Sequence, residues 1–151
     1  MANDALAQKA QNFSNRGRQA LEAGRSDLAV QMLAPRLTCS PDTLETRRLL
    51  RTAQIARFRQ SGSNGFGQKI KNALARSKIM GLVKKGQAVE AMAEAEKLLS
   101  VNPLDPDNIE AAVKAAEAAG KPEAAAISVE AAYTCGAKDP ALLERVAAYY
   151  S

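Results

Sequence analysis

The chain is expected to be all-α, and three observations predict it. Of its 151 residues 31 are Ala and only six are aromatic. Ala is the best helix former and lets helices approach closely, so thin helix-on-helix layers are favoured over a sheet around a bulky centre. Glycines and prolines divide the sequence into helix-length pieces, each opened or closed by a residue with a physical reason to sit there. Strand signals are absent. At 16.0 kDa the chain suits one domain, residues 1 to 151, or a short array of small repeats.

About eight helices are expected, taken here in chain order. The first, 3 to 23, closes at Gly24, where a residue without Cβ enters the left-handed region that ends a helix. The second runs from 26 to 38. Ser40-Pro41 opens the third, 42 to 59: the Ser oxygen accepts an orphan N–H, and Pro has none to lose. Residues 61 to 67, Ser-Gly-Ser-Asn-Gly-Phe-Gly, would break any helix and read as a loop. The fourth helix, 67 to 85, closes at Gly86, and the fifth follows over 87 to 101. Asp105-Pro106 opens the sixth, 106 to 119, which ends at Gly120. The seventh spans 122 to 135, and Asp139-Pro140 opens the eighth, 139 to 150.

The inventory excludes much chemistry. With no His in the chain, Ser-His-Asp and Cys-His catalysis, histidine-containing zinc sites and imidazole-ligated haem cannot be assembled from it. Cys39 and Cys135 form no CxxC pair and read as free thiols of a reducing compartment. Neither an export signal nor a run of 18 apolar residues is present, so a soluble, cytoplasmic chain is expected. The stretch Gly62 to Lys69 fails as a phosphate loop, because Gln68 separates Lys69 from the last Gly and no strand precedes. No cluster of carboxylates or lysines marks an active site, and no enzyme activity or cofactor is expected.

A repeat is the most specific signal. The step from Gly86 to Gly120 recurs from Ala91 to Ala125, and a step of about 34 residues is a period of helical-repeat arrays. Gly24, Ala29 and Pro41 have the same internal offsets as Gly86, Ala91 and Pro103. This Gly-x4-Ala-x11-Pro frame resembles the tetratricopeptide repeat, a helix-turn-helix unit. In that family the Gly lies in the turn, the Ala sits where the helices approach most closely, and the Pro ends the second helix. The units fall at about 10–43, 72–105 and 106–139, followed by a final first-helix at 140–150. Phe13 and Gly17 match the bulky and small positions of the first helix, and Leu143, Ala147 and Tyr150 fit the last. Ala75 with Ile79 and Ile109 with Val113 match less well, and Ala137 stands where a Pro is expected.

The resemblance implies a right-handed superhelix of antiparallel helix pairs, each burying its apolar face against its neighbours, with a concave groove for a peptide or partner helix. Residues 44 to 71 depart from it as an irregular, basic insert. Arg51 stands where a small residue is wanted, and Gly24 and Gly86 lie closer in sequence than two whole repeats would place them. The groove candidates Gln11, Ser14, Arg18, Arg76, Met80, Val83, Asp107, Glu110 and Lys114 do not reproduce the set with which one subtype grips C-terminal carboxylates.

The formal charge of +5 divides unevenly. Residues 46 to 89 hold no Asp or Glu and carry +11, whereas residues 90 to 151 carry −6. In helix 67 to 85, Ile70, Ala73, Leu74, Ser77 and Gly81 share one face, flanked by Lys69 with Arg76 and by Lys71 with Lys78. Such rails suit an acidic amphipathic partner or a membrane surface, yet Ile79, Leu82 and Val83 lie off the strip, as in a helix packed between neighbours. The basic block has three readings: neutralisation of the acidic repeats or a solvated face, a groove for an acidic segment of another protein, or nucleic-acid or lipid binding. The last lacks any recognised motif.

The expected function is therefore a non-enzymatic scaffold that binds another protein. Arg18, Arg47, Arg48, Arg51, Lys69, Arg76, Met80 and Lys114 are the residues expected on its groove or basic face. The alternative is self-association through the apolar end at Tyr149 and Tyr150, or a piece of a longer array whose next helix would cover Tyr150. Nucleic acid and membrane surfaces are disfavoured as partners.

Overall fold

The structure, a computed structural model, describes residues 2–39, 44–61 and 66–134, together with Pro140 and Glu144. Among the described residues there are seven helices and no strand: α1 (Ala2–Glu22), α2 (Ser26–Cys39), α3 (Leu44–Ser61), α4 (Phe66–Lys84), α5 (Ala88–Val101), α6 (Pro106–Ala118) and α7 (Pro122–Thr134). The fold is all-α. The expected eighth helix, with Tyr149 and Tyr150, falls on residues outside those described. No helix among the described residues is long and apolar enough to cross a membrane.

One turn recurs three times. Gly24, Gly86 and Gly120 take φ of 76°, 76° and 72°, the left-handed region that costs a Cβ-bearing residue about 1–2 kcal/mol. In each turn the glycine amide donates to the carbonyl three residues back, on Leu21, Val83 or Glu117. The following amide, of Arg25, Gln87 or Lys121, donates to the carbonyl five residues back, at 2.8–2.9 Å. This pair of bonds satisfies carbonyls that a helix end otherwise leaves bare. The next helix begins two residues after each glycine, and the alanines of the frame, Ala29, Ala91 and Ala125, are buried in the hairpins so formed.

Between α5 and α6 the chain turns on side chains. The Asn102 Oδ1 accepts from the amides of Leu104 and Asp105 at 3.1 Å, and Pro103 is fully buried. Asp105 then caps α6 by accepting the Asp107 amide at 2.9 Å, with Pro106 in the first turn.

Two apolar clusters result. The first joins α1, α2 and α3 through Ala20, Ala29, Val30, Leu33, Leu50 and Ala53. Beside it α1 and α2 come close at Gly17, where a Cβ would stand 2.6 Å from Leu33 Cγ and Cδ2, so only glycine fits unless Leu33 moves. The second cluster joins α4 to α7 and includes Ile79, Leu98, Leu99, Ile109, Val113 and Val129.

Helix α3 connects the two. It packs on α1 and α2 and also on α5 and α7, whereas α4 pairs with α5 and α6. Residues 44 to 71 thus hold two helices that do not form a hairpin with each other, and this is where the repeat frame breaks. Thr46, Leu50 and Ala53 serve one face of α3, with Ser14 Oγ and Thr46 Oγ1 2.9 Å apart and buried. Arg47, Arg51 and Gln54 lie a helical step round, on the face that meets α5 and α7.

Candidate interaction surface

The basic segment separates into an interior part and a surface part. Arg51, only 1 % exposed, donates through Nη2 to Glu96 Oε1 at 2.6 Å and to Ser128 Oγ at 3.1 Å. Its Nη1 donates to Glu96 Oε2 at 3.1 Å and also to the Gln54 side chain. Arg47, also buried, donates to Glu96 Oε1 at 2.8 Å. Gln54 continues the network to Ser100 Oγ at 2.8 Å. A single carboxylate from the acidic half therefore meets two guanidinium groups from the basic half, tying α3 to α5 and, through Ser128, to α7. Burial by itself favours the neutral acid at Glu96. The Arg51 and Arg47 charges and the Arg51 hydrogen bonds outweigh it and hold the carboxyl below the usual carboxylate range.

Arg47 and Arg51 were expected on a groove or basic face; the structure places both inside the helix stack. Their position follows from the helical step of α3: residues 47, 51 and 54 share one stripe, and that stripe is the one α5 and α7 cover. Arg48, on the next stripe, is exposed and lines a cleft of about 370 Å³ between α3 and α7, with Ile55, Arg59, Ile127 and Glu130. Arg57 donates to the Ser100 carbonyl and lies 3.9 Å from Asp27. Arg18 is engaged by Glu45 across the α1–α3 contact.

Three of the expected residues share one stripe of α4. Lys69, Arg76 and Met80 fall within a narrow arc at 100° per residue, and Arg76 Nη1 donates to the buried Asn108 of α6 at 2.7 Å. Asn108 is itself fixed by donating to the Asn102 carbonyl at 3.2 Å. Lys114, on α6, is exposed and lies 3.7 Å from Glu110. Lys69, Arg76, Met80 and Lys114 thus belong to adjoining helices. Arg18 and Arg48 stand apart from them, on α1 and on the α3–α7 cleft.

The outward face of α4 is distinct from this stripe. Ile70 is 51 % and Leu74 67 % exposed, and Ala73 and Ser77 beside them are exposed too. Ile79, on the opposite side of the helix, is buried in the second cluster with Ala75, Leu82 and Val83 packed around it. The strip and the apolar residues that lie off it are therefore an outward face and an inward face of one helix. Lys69, Lys71, Lys84 and Lys85 are exposed and form no ion pair with a described residue, while Lys78 reaches Glu94 at 3.4 Å.

Glu96, Gln54, Asn108 and Ser128 were not among the residues singled out by sequence. The only signal for Glu96 was the opposition of an acid-free block to an acidic half, which names no residue. No protein-family model matches the chain, and no curated protein sequence matches it.

Proposed function

We propose that this protein is a non-enzymatic interaction scaffold: a tetratricopeptide-like stack of helix pairs, interrupted at α3, that binds a segment of another protein along the first helices of its second half. The observation that carries this reading is the recurrence of one glycine turn with a buried alanine five residues on. From Gly86 to Gly120 it recurs at the repeat length, which sets α4 and α6 in the same register. Equivalent positions then fall side by side, and Lys69, Arg76, Met80 and Lys114 form a mixed cationic and apolar stripe accessible to solvent. The exposed lysines of α4 add electrostatic steering toward an acidic segment. A cytoplasmic setting is part of the proposal, in keeping with two cysteines that form no CxxC pair.

Affinity capture with the wild-type chain and a Met80→Ala/Lys114→Glu double variant tests the groove. Both positions lie on the accessible stripe, so the variant should fold normally by circular dichroism and lose the partners that the wild type retains at low salt. Equal recovery by both proteins refutes the reading.

A further inference from the structure

The three first helices α1, α4 and α6 have equivalent faces, and these differ in a way that singles out α4. On α6 the positions Asn108, Ala111, Ala112 and Ala115 are buried, against the preceding pair α4 and α5. On α1 the matching positions Asn12, Asn15, Arg16 and Gln19 are exposed and polar, a face that water satisfies. On α4 the same register holds Leu74, Ser77, Lys78 and Gly81, extended one turn back by Ile70. This face is neither all polar, as on α1, nor covered, as on α6: Ile70 and Leu74 stand in solvent, and among the described helices α4 packs substantially only on α5 and α6. In an uninterrupted stack the preceding helix pair would cover it. Here α3, which precedes α4, has gone to the side of α5 and α7 instead.

Chemistry selects the occupant. Lys69 borders the apolar strip on one side, and Lys71 and Lys78 border it on the other, so the face repels its own copy in an α4-to-α4 pairing. The strip has just two large apolar side chains among the small Ala73, Ser77 and Gly81. A lipid surface is gripped by large side chains sunk into it, whereas small residues let a second helix approach to the roughly 8–10 Å at which helices pack. Cationic rails around such a strip match acidic side chains flanking the apolar stripe of another helix.

We propose that this face of α4 docks an amphipathic helix of a partner protein, one whose apolar stripe is flanked by Asp or Glu and which stacks where a preceding repeat would stand. Ile70, Leu74, Lys71 and Lys78 lie on a different stripe of α4 from Arg76 and Met80, with Lys69 bordering both, and the site rests on the repeat register of the proposed scaffold. Occupancy of the groove plays no part in it.

A labelled synthetic helix of about 18 residues, or five turns, with Leu and Ala along one face and Glu on both flanks, tests the proposal by fluorescence anisotropy against the full chain. Saturable binding is expected, weakening as salt screens the lysines. Leu74→Glu, and separately Lys71→Glu, should each weaken it by about tenfold or more. These are exposed positions, so circular dichroism and the thermal midpoint should stay as in wild type. The Met80→Ala/Lys114→Glu protein should bind the peptide as wild type does, which separates failure of this site from failure of the groove. The proposal is overturned by absence of saturable binding, by equal binding of a peptide with Lys in place of Glu, or by an unaffected Leu74→Glu protein. It is equally overturned if Leu74→Glu instead abolishes a concentration-dependent dimer in sedimentation, or abolishes binding to phosphatidylserine vesicles.

Discussion

Glu96 is the residue on which the electrostatics of the interior turns. Its side chain is 19 % exposed, and its carboxylate faces the guanidinium groups of the nearly inaccessible Arg47 and Arg51 side chains. Removing one partner from a buried ion cluster is costlier than never having built it, because the remaining charges stay desolvated without compensation. Glu96→Gln keeps the shape and deletes the charge, and should lower unfolding free energy by about 3–5 kcal/mol in urea titrations at neutral pH. The pH dependence has a definite sign. Since the folded protein holds this carboxyl below its ordinary value, the contribution is complete above the unfolded-state pKa of about 4.3 and is lost as pH falls through the lower folded value. The stability gap between wild type and Glu96→Gln should therefore narrow in acid; a gap independent of pH would refute the assignment.

At the scale of the element, two kinds of glycine behave oppositely to simple helix propensity. Gly17 lies inside α1, where replacing glycine by alanine ordinarily stabilises a helix by about 1 kcal/mol. Here the added methyl meets Leu33 at 2.6 Å, and overpacking of this kind costs about 1–3 kcal/mol. Gly17→Ala should lower the thermal midpoint, and Gly17→Ala/Leu33→Ala should be less destabilised than the sum of the two single changes. A stabilised Gly17→Ala protein would show that Leu33 swings away freely. The turn glycines are limited by backbone instead: at Gly86 a Cβ meets nothing within 4 Å, and only its positive φ excludes other residues. Helix ends of this sort are local chemistry, which is why α1 ends, and α2, α5, α6 and α7 begin and end, within a residue or two of the positions that Gly and Pro alone indicate. The partner of a helix is a different matter. Nothing in residues 44 to 61 announces that α3 will lie against α5 and α7, helices that come well after it in sequence.

For the whole molecule, α3 is the joint between two apolar clusters, and its contact with the second half is built largely from polar groups: Arg47, Arg51, Gln54 and Arg57 against Glu96, Ser100 and Ser128. Such a joint should open before the hairpins do. Native-state hydrogen exchange on Glu96→Gln should show faster exchange across α1 to α3, with the Gly86 and Gly120 hairpins retaining their protection. A uniform rise across all described helices would instead show one cooperative unit. The +11 block, a single feature in sequence, thereby divides by role: Arg47 and Arg51 hold the halves together, while the lysines of α4 face solvent.

The sequence by itself determined the all-helical class and, to within a residue or two, the places where most of the described helices start and stop. Each of these depends on a few neighbouring residues: a glycine at positive φ, a proline in a first turn, a helix-favouring alanine. Only the tertiary structure decided which cations are interior, which are exposed, and which face of α4 is left open. Arg51 and Glu96 are 45 positions apart and belong to no common period. Ile70 and Ile79 sit on one helix with equal hydrophobicity, and only the packing of α5 and α6 against one side distinguishes the core residue from the exposed one. Burial is a property of neighbours in space, and those neighbours come from elements far apart in the chain.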